Sequence, residues 1–348
     1  MQNKNLRDLL GTDLPIIQSP MAGVQDSTLA VAVSEAGGLG SLPCGMLSIE
    51  KIISEIKLIK AATNKPYNLN FFCHKIPAFD KKRQESWQKR LQPYFEELGV
   101  KMEPSSGKAG RTPFNHDIAD AIEPFRPEFI SFHFGLPDKE LLKRVKSWGT
   151  RIISSATTVE EAVWLESNGV NGIIAQGLEA GGHRGMFLSG DIATQMGLSS
   201  LLPQIVDRVD VPVIAAGGIG SNRAVQAALL FGAGAVQIGT AYLLCPETKT
   251  SSLHRSAIKS EKPAPAVLTN IFSGKPARGI VNRAIKELGY MSLHAPDFPY
   301  ASSEMTQLRN HAERLGINDF SPLWCGQNTL GCQEISAGLL TVQLAETS

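Results

Sequence analysis

The chain has 348 residues, in which 34 lysines and arginines face 33 aspartates and glutamates, for a formal net charge of +1. This balance gives no bulk electrostatic attraction to nucleic acid or to an anionic membrane, so neither is expected as a partner. The length suits one large α/β barrel with an appendage, or two ordinary domains.

Short apolar runs alternate with helical patterns in the first part of the chain. The apolar runs predict strands at Leu14–Met21, Gly38–Gly45 and Tyr67–Cys73. Helices are predicted between them, one through Leu29–Val33 and one from Ser48–Ala62, where the Ser48 side chain can cap the first turn. This alternation is typical of parallel α/β folds.

The alternation breaks between Lys75 and Pro124, where the residues are polar, aromatic and punctuated by prolines. A helix is predicted from Lys81 to Leu98 inside this insertion. An insertion of about fifty residues is too long for an ordinary loop, so it is expected to have its own structure over a site.

Five further predicted strands follow the insertion, at Phe129–Gly135, Arg151–Ala156, Gly172–Ala175, Pro212–Gly220 and Ala235–Leu243. Helices are predicted among them at Lys139–Trp148, Val159–Ser167 and Asn222–Phe231. Eight strands alternating with helices predict an α/β fold of the (β/α)8 TIM-barrel type. The barrel is expected to comprise residues 1–74 and 125–261. A smaller lid or substrate region is expected to comprise residues 75–124 and 262–348, that is, the insertion after strand 3 and the C-terminal segment.

The sixth predicted strand leads into a glycine-rich loop within GIIAQGLEAGGHRGMF. Four glycines and His183 lie in the nine residues after Gln176. Clustered glycines let a backbone approach a ligand closely or adopt positive φ angles. A histidine at the carboxyl end of a buried barrel strand lies where such folds place their chemistry. His183 is therefore the candidate catalytic residue.

Two more glycine turns end neighbouring strands. Gly217 and Gly218 end the seventh strand just before a helix, and Gln237, Ile238, Gly239 and Thr240 end the eighth. In (β/α)8 enzymes the loops after these strands, with a helix N-terminus, often hold a phosphate. The stretch GGIGSN does not fit the dinucleotide fingerprint, and no Walker A sequence is present. A monophosphate cofactor is indicated, FMN before NAD or ATP.

Other strand-end residues are expected to line the same barrel mouth. Pro20 to Gly23 would let a flat ring lie against the backbone, and the amides of Asn70 and Gln176 suit the polar edge of such a ring. His133 ends the fourth strand; a neutral imidazole there can take a proton from carbon or donate a hydrogen bond to an oxyanion. The remaining histidines, without comparable context, are His74, His116, His254, His294 and His311.

The cysteines and the amino terminus bear on location. The five cysteines are scattered and form no C-x-x-C pair, which disfavours a disulfide framework or a zinc site and suits a reducing compartment. The amino terminus lacks the apolar core of a signal peptide, and no stretch approaches the roughly 18 apolar residues that span a bilayer. A cytoplasmic protein without a metal site is predicted.

Seven motifs occur in an order that resembles the nitronate monooxygenases, formerly called 2-nitropropane dioxygenases. Between Leu14 and Leu244 they are PMAG, AGGLGS, NFF, FHFG, the QGLEAGGHRG stretch, AAGGIG and QIGT, with weaker similarity in APDFPY and LWCGQ. The resemblance implies FMN-dependent oxidation of alkyl nitronates, such as propionate 3-nitronate, by dioxygen. The products would be a carbonyl compound and nitrite, and the reaction would pass through a flavin semiquinone. The sequence departs from the family pattern in the residues after PMAG and in SLPCGM.

The resemblance also implies roles for single residues. His183 is the base that deprotonates neutral nitroalkanes, His133 lines the substrate pocket, and Tyr300 comes over that pocket from the lid. The resemblance and the strand-end residues described above together predict the residues that bind the cofactor. These are Met21, Ala22, Gly23, Asn70, Gln176, Gly181, Gly217, Gly218, Gln237, Ile238, Gly239 and Thr240.

Two other functions remain open. An FMN-dependent NAD(P)H oxidoreductase, of the enoyl-acyl-carrier-protein reductase or quinone reductase type, carries a similar glycine-histidine loop on an FMN barrel. A flavin-binding protein without turnover is the second. The expected partners are a small nitronate or nitroalkane and dioxygen, with the chain as a monomer or a homodimer.

Overall fold

Parallel strands form the centre of the protein. The computed structural model describes residues 10–103, 105, 107, 110–260 and 265–346. In chain order its strands are β1 Ile16–Gln18, β2 Gly40–Pro43, β3 Tyr67–Phe72, β4 Phe129–His133, β5 Arg151–Ala156, β6 Gly172–Gln176, β7 Gly182–His183, β8 Val213–Ala216, β9 Ala235–Ile238, β10 Ala266–Thr269 and β11 Ala277–Ile280.

Eight of these strands close into a barrel. They pair in the order β1-β9-β8-β6-β5-β4-β3-β2, and all of the pairs are parallel. A parallel bridge between Ile17 of β1 and Leu39 beside β2 joins the two ends of the sheet. The predicted (β/α)8 barrel is confirmed. Six of these eight strands are shorter than predicted, because their apolar runs continue into the flanking loops, whereas β5 has the predicted bounds and β6 is one residue longer.

Helices surround the barrel and also form the region beside it. Among the described residues they are α1 Ser27–Glu35, α2 Ile49–Ala62, α3 Lys81–Glu97, α4 His116–Ile122, α5 Lys139–Ser147, α6 Val159–Ser167, α7 Leu198–Val206, α8 Asn222–Leu230, α9 Ser252–Ile258, α10 Arg283–Leu288, α11 Ser302–Arg314 and α12 Ala337–Ala345. Ser48 caps α2 as predicted, since its side chain accepts from the Lys51 N–H at 3.3 Å. The sequence pattern did not predict α4 or α7; α7 contains Pro203, which ordinarily argues against a helix.

Two hydrophobic layers build the barrel. Inside it, Ile17, Phe129, Ile174 and Ile214 pack as fully buried side chains from different strands. A larger layer lies between the sheet and the helices. Parallel strands are buried on both faces, which is why they appear in the sequence as continuous apolar runs.

A further hydrophobic cluster lies outside the barrel. Trp87 and Phe95 of α3 pack there with Ile285 of α10 and Leu308 of α11. The insertion and the C-terminal segment therefore share a core. Helices α4 and α12, by contrast, pack in the layer around the barrel. The division into a barrel and a lid region stays a proposal, with these two helices on the barrel side.

A small antiparallel sheet brings the C-terminal segment to the barrel. Its order is β10-β11-β7, and Ala277 of β11 pairs with His183 of β7. The loop after β6 is thus fixed by a strand nearly a hundred residues away in the chain. Within the described ranges, no helix combines the length and the apolar character needed to cross a membrane.

Candidate active site

A cavity of about 710 Å³ lies at the carboxyl ends of the barrel strands. Most of the residues predicted from the sequence line it, namely Met21, Ala22, Gly23, Asn70, His133, Gln176, Gly181, His183, Gly217, Gly218, Gln237, Gly239 and Thr240. Two predicted residues do not. Ile238 is buried, and its carbonyl accepts from the Ser19 N–H at 2.7 Å. Tyr300 donates through its hydroxyl to the Pro77 carbonyl at 3.1 Å, inside the insertion and away from the lining.

A buried arginine holds the shape of the loop after β6. Arg184 is fully buried and donates to the carbonyls of Gln176 at 2.7 Å and Gly177 at 2.6 Å. It also donates twice to Oε1 of Gln195, at 2.9 and 3.0 Å. Burial lowers the pKa of Arg184 to about 10, so the guanidinium stays charged at neutral pH. The four bonds compensate for much of the cost of burying that charge.

The backbone of His183 is held by two predicted site residues. Gln176 donates from Nε2 to the His183 carbonyl at 3.0 Å, and its Oε1 accepts from the Gly185 N–H at 2.8 Å. His133 reaches the same carbonyl with Nε2 at 3.2 Å, while its Nδ1 lies 3.0 Å from Oγ of Ser155. A carbonyl only accepts, so Nε2 of His133 carries the proton and Nδ1 accepts. Burial lowers the pKa of His133 to about 4, which leaves it neutral.

The ring of His183 lies between a serine and aromatic side chains. Its Nε2 is 2.8 Å from Oγ of Ser273, in the turn between β10 and β11. Its ring centroid lies 5.5 Å from that of Trp324 and 5.7 Å from that of Phe298. Burial, followed by the charge of Arg111, holds the pKa of His183 well below its usual value. The imidazole is therefore neutral, and able to accept a proton, at neutral pH.

Two cations lie near this histidine without carboxylate partners. Arg111 lines the cavity, with its guanidinium 5.1 Å from the ring centroid of Phe298. Nζ of Lys275 lies 4.6 Å from the ring centroid of Phe134. Burial lowers the pKa of both groups, that of Arg111 to about 10. Among the described side chains, no acid forms an ion pair with either. Of the two, Arg111 lines the cavity, so its charge is available to an anion there.

Bare backbone lines the other end of the cavity. Gly217 and Gly218 have φ angles of +124° and +71°, which favour glycine. A Cβ on Gly181 would lie 2.6 Å from the Gly326 nitrogen, so a side chain has no room there. Oε1 of Gln237 is buried and has no hydrogen-bond partner among the described residues. A ligand that offers an N–H donor would satisfy it.

Sequence reasoning missed Arg111, Ser273, Lys275 and Trp324. They lie in the insertion and in the C-terminal segment, and tertiary contacts bring them to His183. No local motif marks Arg111, Ser273 or Lys275, and Trp324 lies in LWCGQ, whose weak similarity gave it no role. No set of three or more histidine, cysteine or acidic side chains in the described part of the chain is arranged to hold a metal ion.

Comparisons with known proteins identify the family of the chain. The family model of the nitronate monooxygenases matches residues 3–346. A nitronate monooxygenase of Pseudomonas aeruginosa is 38% identical over 343 residues, which cover 97% of each chain. The solved structure of a nitroalkane oxidase from Streptomyces ansochromogenes is 36% identical with a TM-score of 0.88, covering 98% of this chain and 96% of that one. The structure of FabK from Thermotoga maritima has a TM-score of 0.73 at 24% identity, and the match covers 98% of this chain and 94% of that one. This similarity is one of fold alone. The chain belongs to the nitronate monooxygenase family of flavin-dependent oxidoreductases.

Proposed function

We propose that this protein uses FMN to oxidise propionate 3-nitronate and related nitronates with dioxygen, and that His183 is the base for neutral nitroalkanes. The observation that carries the proposal is the position of His183. It is a neutral imidazole that lines a glycine-rich cavity, beside two cations that lack carboxylate partners. The products are a carbonyl compound and nitrite.

The residues around the cavity fit FMN. The backbone of Gly218, Gly239 and Thr240, free of bulky side chains, would hold the phosphate, because bare N–H groups bind anions. The unpartnered Oε1 of Gln237 would accept from an N–H on the ring edge. Pro20 to Gly23 would form a wall against the ring. When bound, FMN supplies the electron acceptor for the nitronate and passes electrons on to dioxygen.

His183 would take the α-proton of a neutral nitroalkane. Ser273 donates weakly to the Lys275 carbonyl, at 3.4 Å, which leaves its oxygen to accept from Nε2–H of His183. No described residue hydrogen-bonds to Nδ1, so we assign the basic lone pair to that nitrogen. The proton then moves from carbon to Nδ1, and the C–H electron pair moves into the nitro group. The nitronate that forms is the substrate for oxidation.

Arg111 and Lys275 support an anionic substrate. Propionate 3-nitronate carries a carboxylate as well as the nitronate, so it has two negative charges to place near these cations. Burial strengthens such interactions, because the effective dielectric constant falls away from water. A cytoplasmic location and a monomeric or homodimeric state stay predictions.

The test compares two forms of one substrate, nitroethane and its preformed nitronate. His183→Asn is expected to cut kcat/KM on nitroethane by the roughly 10²–10⁴-fold of lost general-base catalysis. The loss on ethyl nitronate should be much smaller, because that substrate has already lost its proton. His116→Asn is the matched control, since His116 is exposed at the start of α4. Equal losses on both forms would remove His183 as the base and leave the flavin site intact.

A further inference from the structure

Residues 325–332, here called the C-terminal clasp, cross the glycine loops that follow β6, β8 and β9. Cys325, Gly326 and Asn328 line the same cavity as the predicted phosphate loops. The clasp has neither helix nor strand along its length. Its first three residues end the LWCGQ motif, whose weak similarity to the family gave none of them a role. Its contacts nonetheless reach three separate barrel loops.

The clasp is hydrogen-bonded to the loops after β6, β8 and β9. The Gln327 N–H donates to the Glu179 carbonyl at 3.0 Å, in the loop after β6. The amide of Asn328 donates to the Gly218 carbonyl at 2.9 Å, in the loop after β8. In the loop after β9, Oγ1 of Thr240 accepts a hydrogen bond from the Gly326 N–H at 2.8 Å. One short segment therefore ties together the loops that end the strands around the phosphate position.

At two of its glycines the clasp packs backbone against backbone and leaves no room for a side chain. A Cβ on Gly326 would lie 2.9 Å from the Glu179 carbonyl oxygen. A Cβ on Gly331 would lie 1.9 Å from the carbonyl oxygen of Gly220, in the loop after β8. Both distances are shorter than real Cβ contacts. Glycine at these positions is a requirement of the close approach.

Two polar groups are oriented by this contact. Because Oγ1 of Thr240 accepts from Gly326, its hydroxyl proton is left to donate to an anion in the cavity. Oδ1 of Asn328 accepts from the Leu330 N–H at 3.1 Å, which fixes its amide nitrogen on the Gly218 carbonyl. The peptide of Gly218 is thereby held in one orientation, at a residue whose φ of +71° only glycine adopts readily.

We propose that the C-terminal clasp is part of the cofactor site, with Gly326 and Asn328 as positioning residues that set how tightly the phosphate end of FMN is held. They act through Thr240 and Gly218. The proposal rests on the proposed function, because it needs FMN at these loops. It follows that affinity for the phosphate, and not for the ring, depends on the clasp.

The experiment titrates full-length apoprotein into FMN and into riboflavin, which lacks the phosphate, and follows flavin fluorescence. Asn328→Asp places a carboxylate against the Gly218 carbonyl, so a hydrogen bond becomes a repulsion. We expect the Kd for FMN to rise about tenfold or more, because one hydrogen bond is lost and a repulsion is added. The Kd for riboflavin should change by less than threefold, which is about 0.65 kcal/mol by the same conversion. Gly326→Ala is expected to act in the same direction.

Leu330→Ser is the matched control, because Leu330 belongs to the clasp but is 96% exposed. It should leave both Kd values within twofold of the parent. Thermal unfolding of each apoprotein shows whether it is folded, and if Gly326→Ala does not fold, Asn328→Asp carries the test. An unchanged Kd for FMN, or equal losses for FMN and riboflavin, would overturn the role of the clasp. A parent protein that binds no FMN would overturn the proposed function instead.

Discussion

Replacing Arg184 with lysine tests how the loop that carries His183 is held. The guanidinium makes four hydrogen bonds to three acceptors, and all of them are buried. An ammonium keeps the charge but lacks the planar fork that reaches the two carbonyls and Gln195 together. Losing two bonds from a charged donor, at about 1.5–3 kcal/mol each, lowers the free energy of unfolding by about 3–6 kcal/mol. That is a large part of the 5–15 kcal/mol typical of a folded protein.

The assay pairs urea unfolding with steady-state kinetics. Because Arg184 adjoins His183, a displacement of about 1 Å in the loop is expected to reduce kcat/KM on nitroethane by about 10²-fold. Arg83→Lys is the control: Arg83 forms an exposed ion pair with Asp297 at 2.8 Å, so its change should stay within about 0.5 kcal/mol. Parent-like stability and activity in Arg184→Lys would refute the account of the loop.

Three other expectations concern titration and charge. The pKa of His183 lies well below its usual value, so kcat/KM for nitroethane should begin to fall only below pH 6.5, as His183 becomes protonated. Ethyl nitronate should show no such fall, and a fall for nitroethane that begins above pH 6.5 would contradict this. Burial lowers the pKa of His74 from 6.5 to about 4, so the unfolded chain binds the proton more readily and stability is lost as the pH falls from 6.5 towards 4. At pH 4 His74→Phe should recover on the order of 2–3 kcal/mol in urea unfolding, and no recovery would refute the assignment. Arg111→Met should raise KM for propionate 3-nitronate about tenfold or more, but not KM for ethyl nitronate, which lacks the carboxylate; equal changes would remove Arg111 as the carboxylate contact.

The barrel could be predicted from the sequence because each of its strands is buried on both faces. Such a strand appears as a continuous apolar run, and the glycine turns after it mark the carboxyl end. Helix α7 could not be predicted, since Pro203 and the serines at its start conceal the apolar face. Six of the eight barrel strands end earlier than predicted. One is Ala235–Ile238, where a 3-10 turn from Thr240 follows.

The polar contacts of the site depended on long-range pairing. His183 and the glycine loops could be found because each follows a buried strand. Ser273 lies 90 residues from His183 in the chain, and the pairing of β7 with β11 brings the two together. Local patterns contain no information on such a contact. Tyr300 is the converse example. A family motif predicted that it would lie over the cavity, but its side chain packs against Phe79 and does not line the cavity.

The proposed reaction is oxidation of nitronates by dioxygen without a nicotinamide. Its most direct test measures nitrite release and oxygen uptake with propionate 3-nitronate, with and without NADH, on the purified flavin-loaded protein. We expect both to occur at the same rate without NADH, and NADH to leave the flavin oxidised under anaerobic conditions. Bleaching of the flavin by NADH, with no nitrite from the nitronate, would rule out the proposed reaction and identify a reductase.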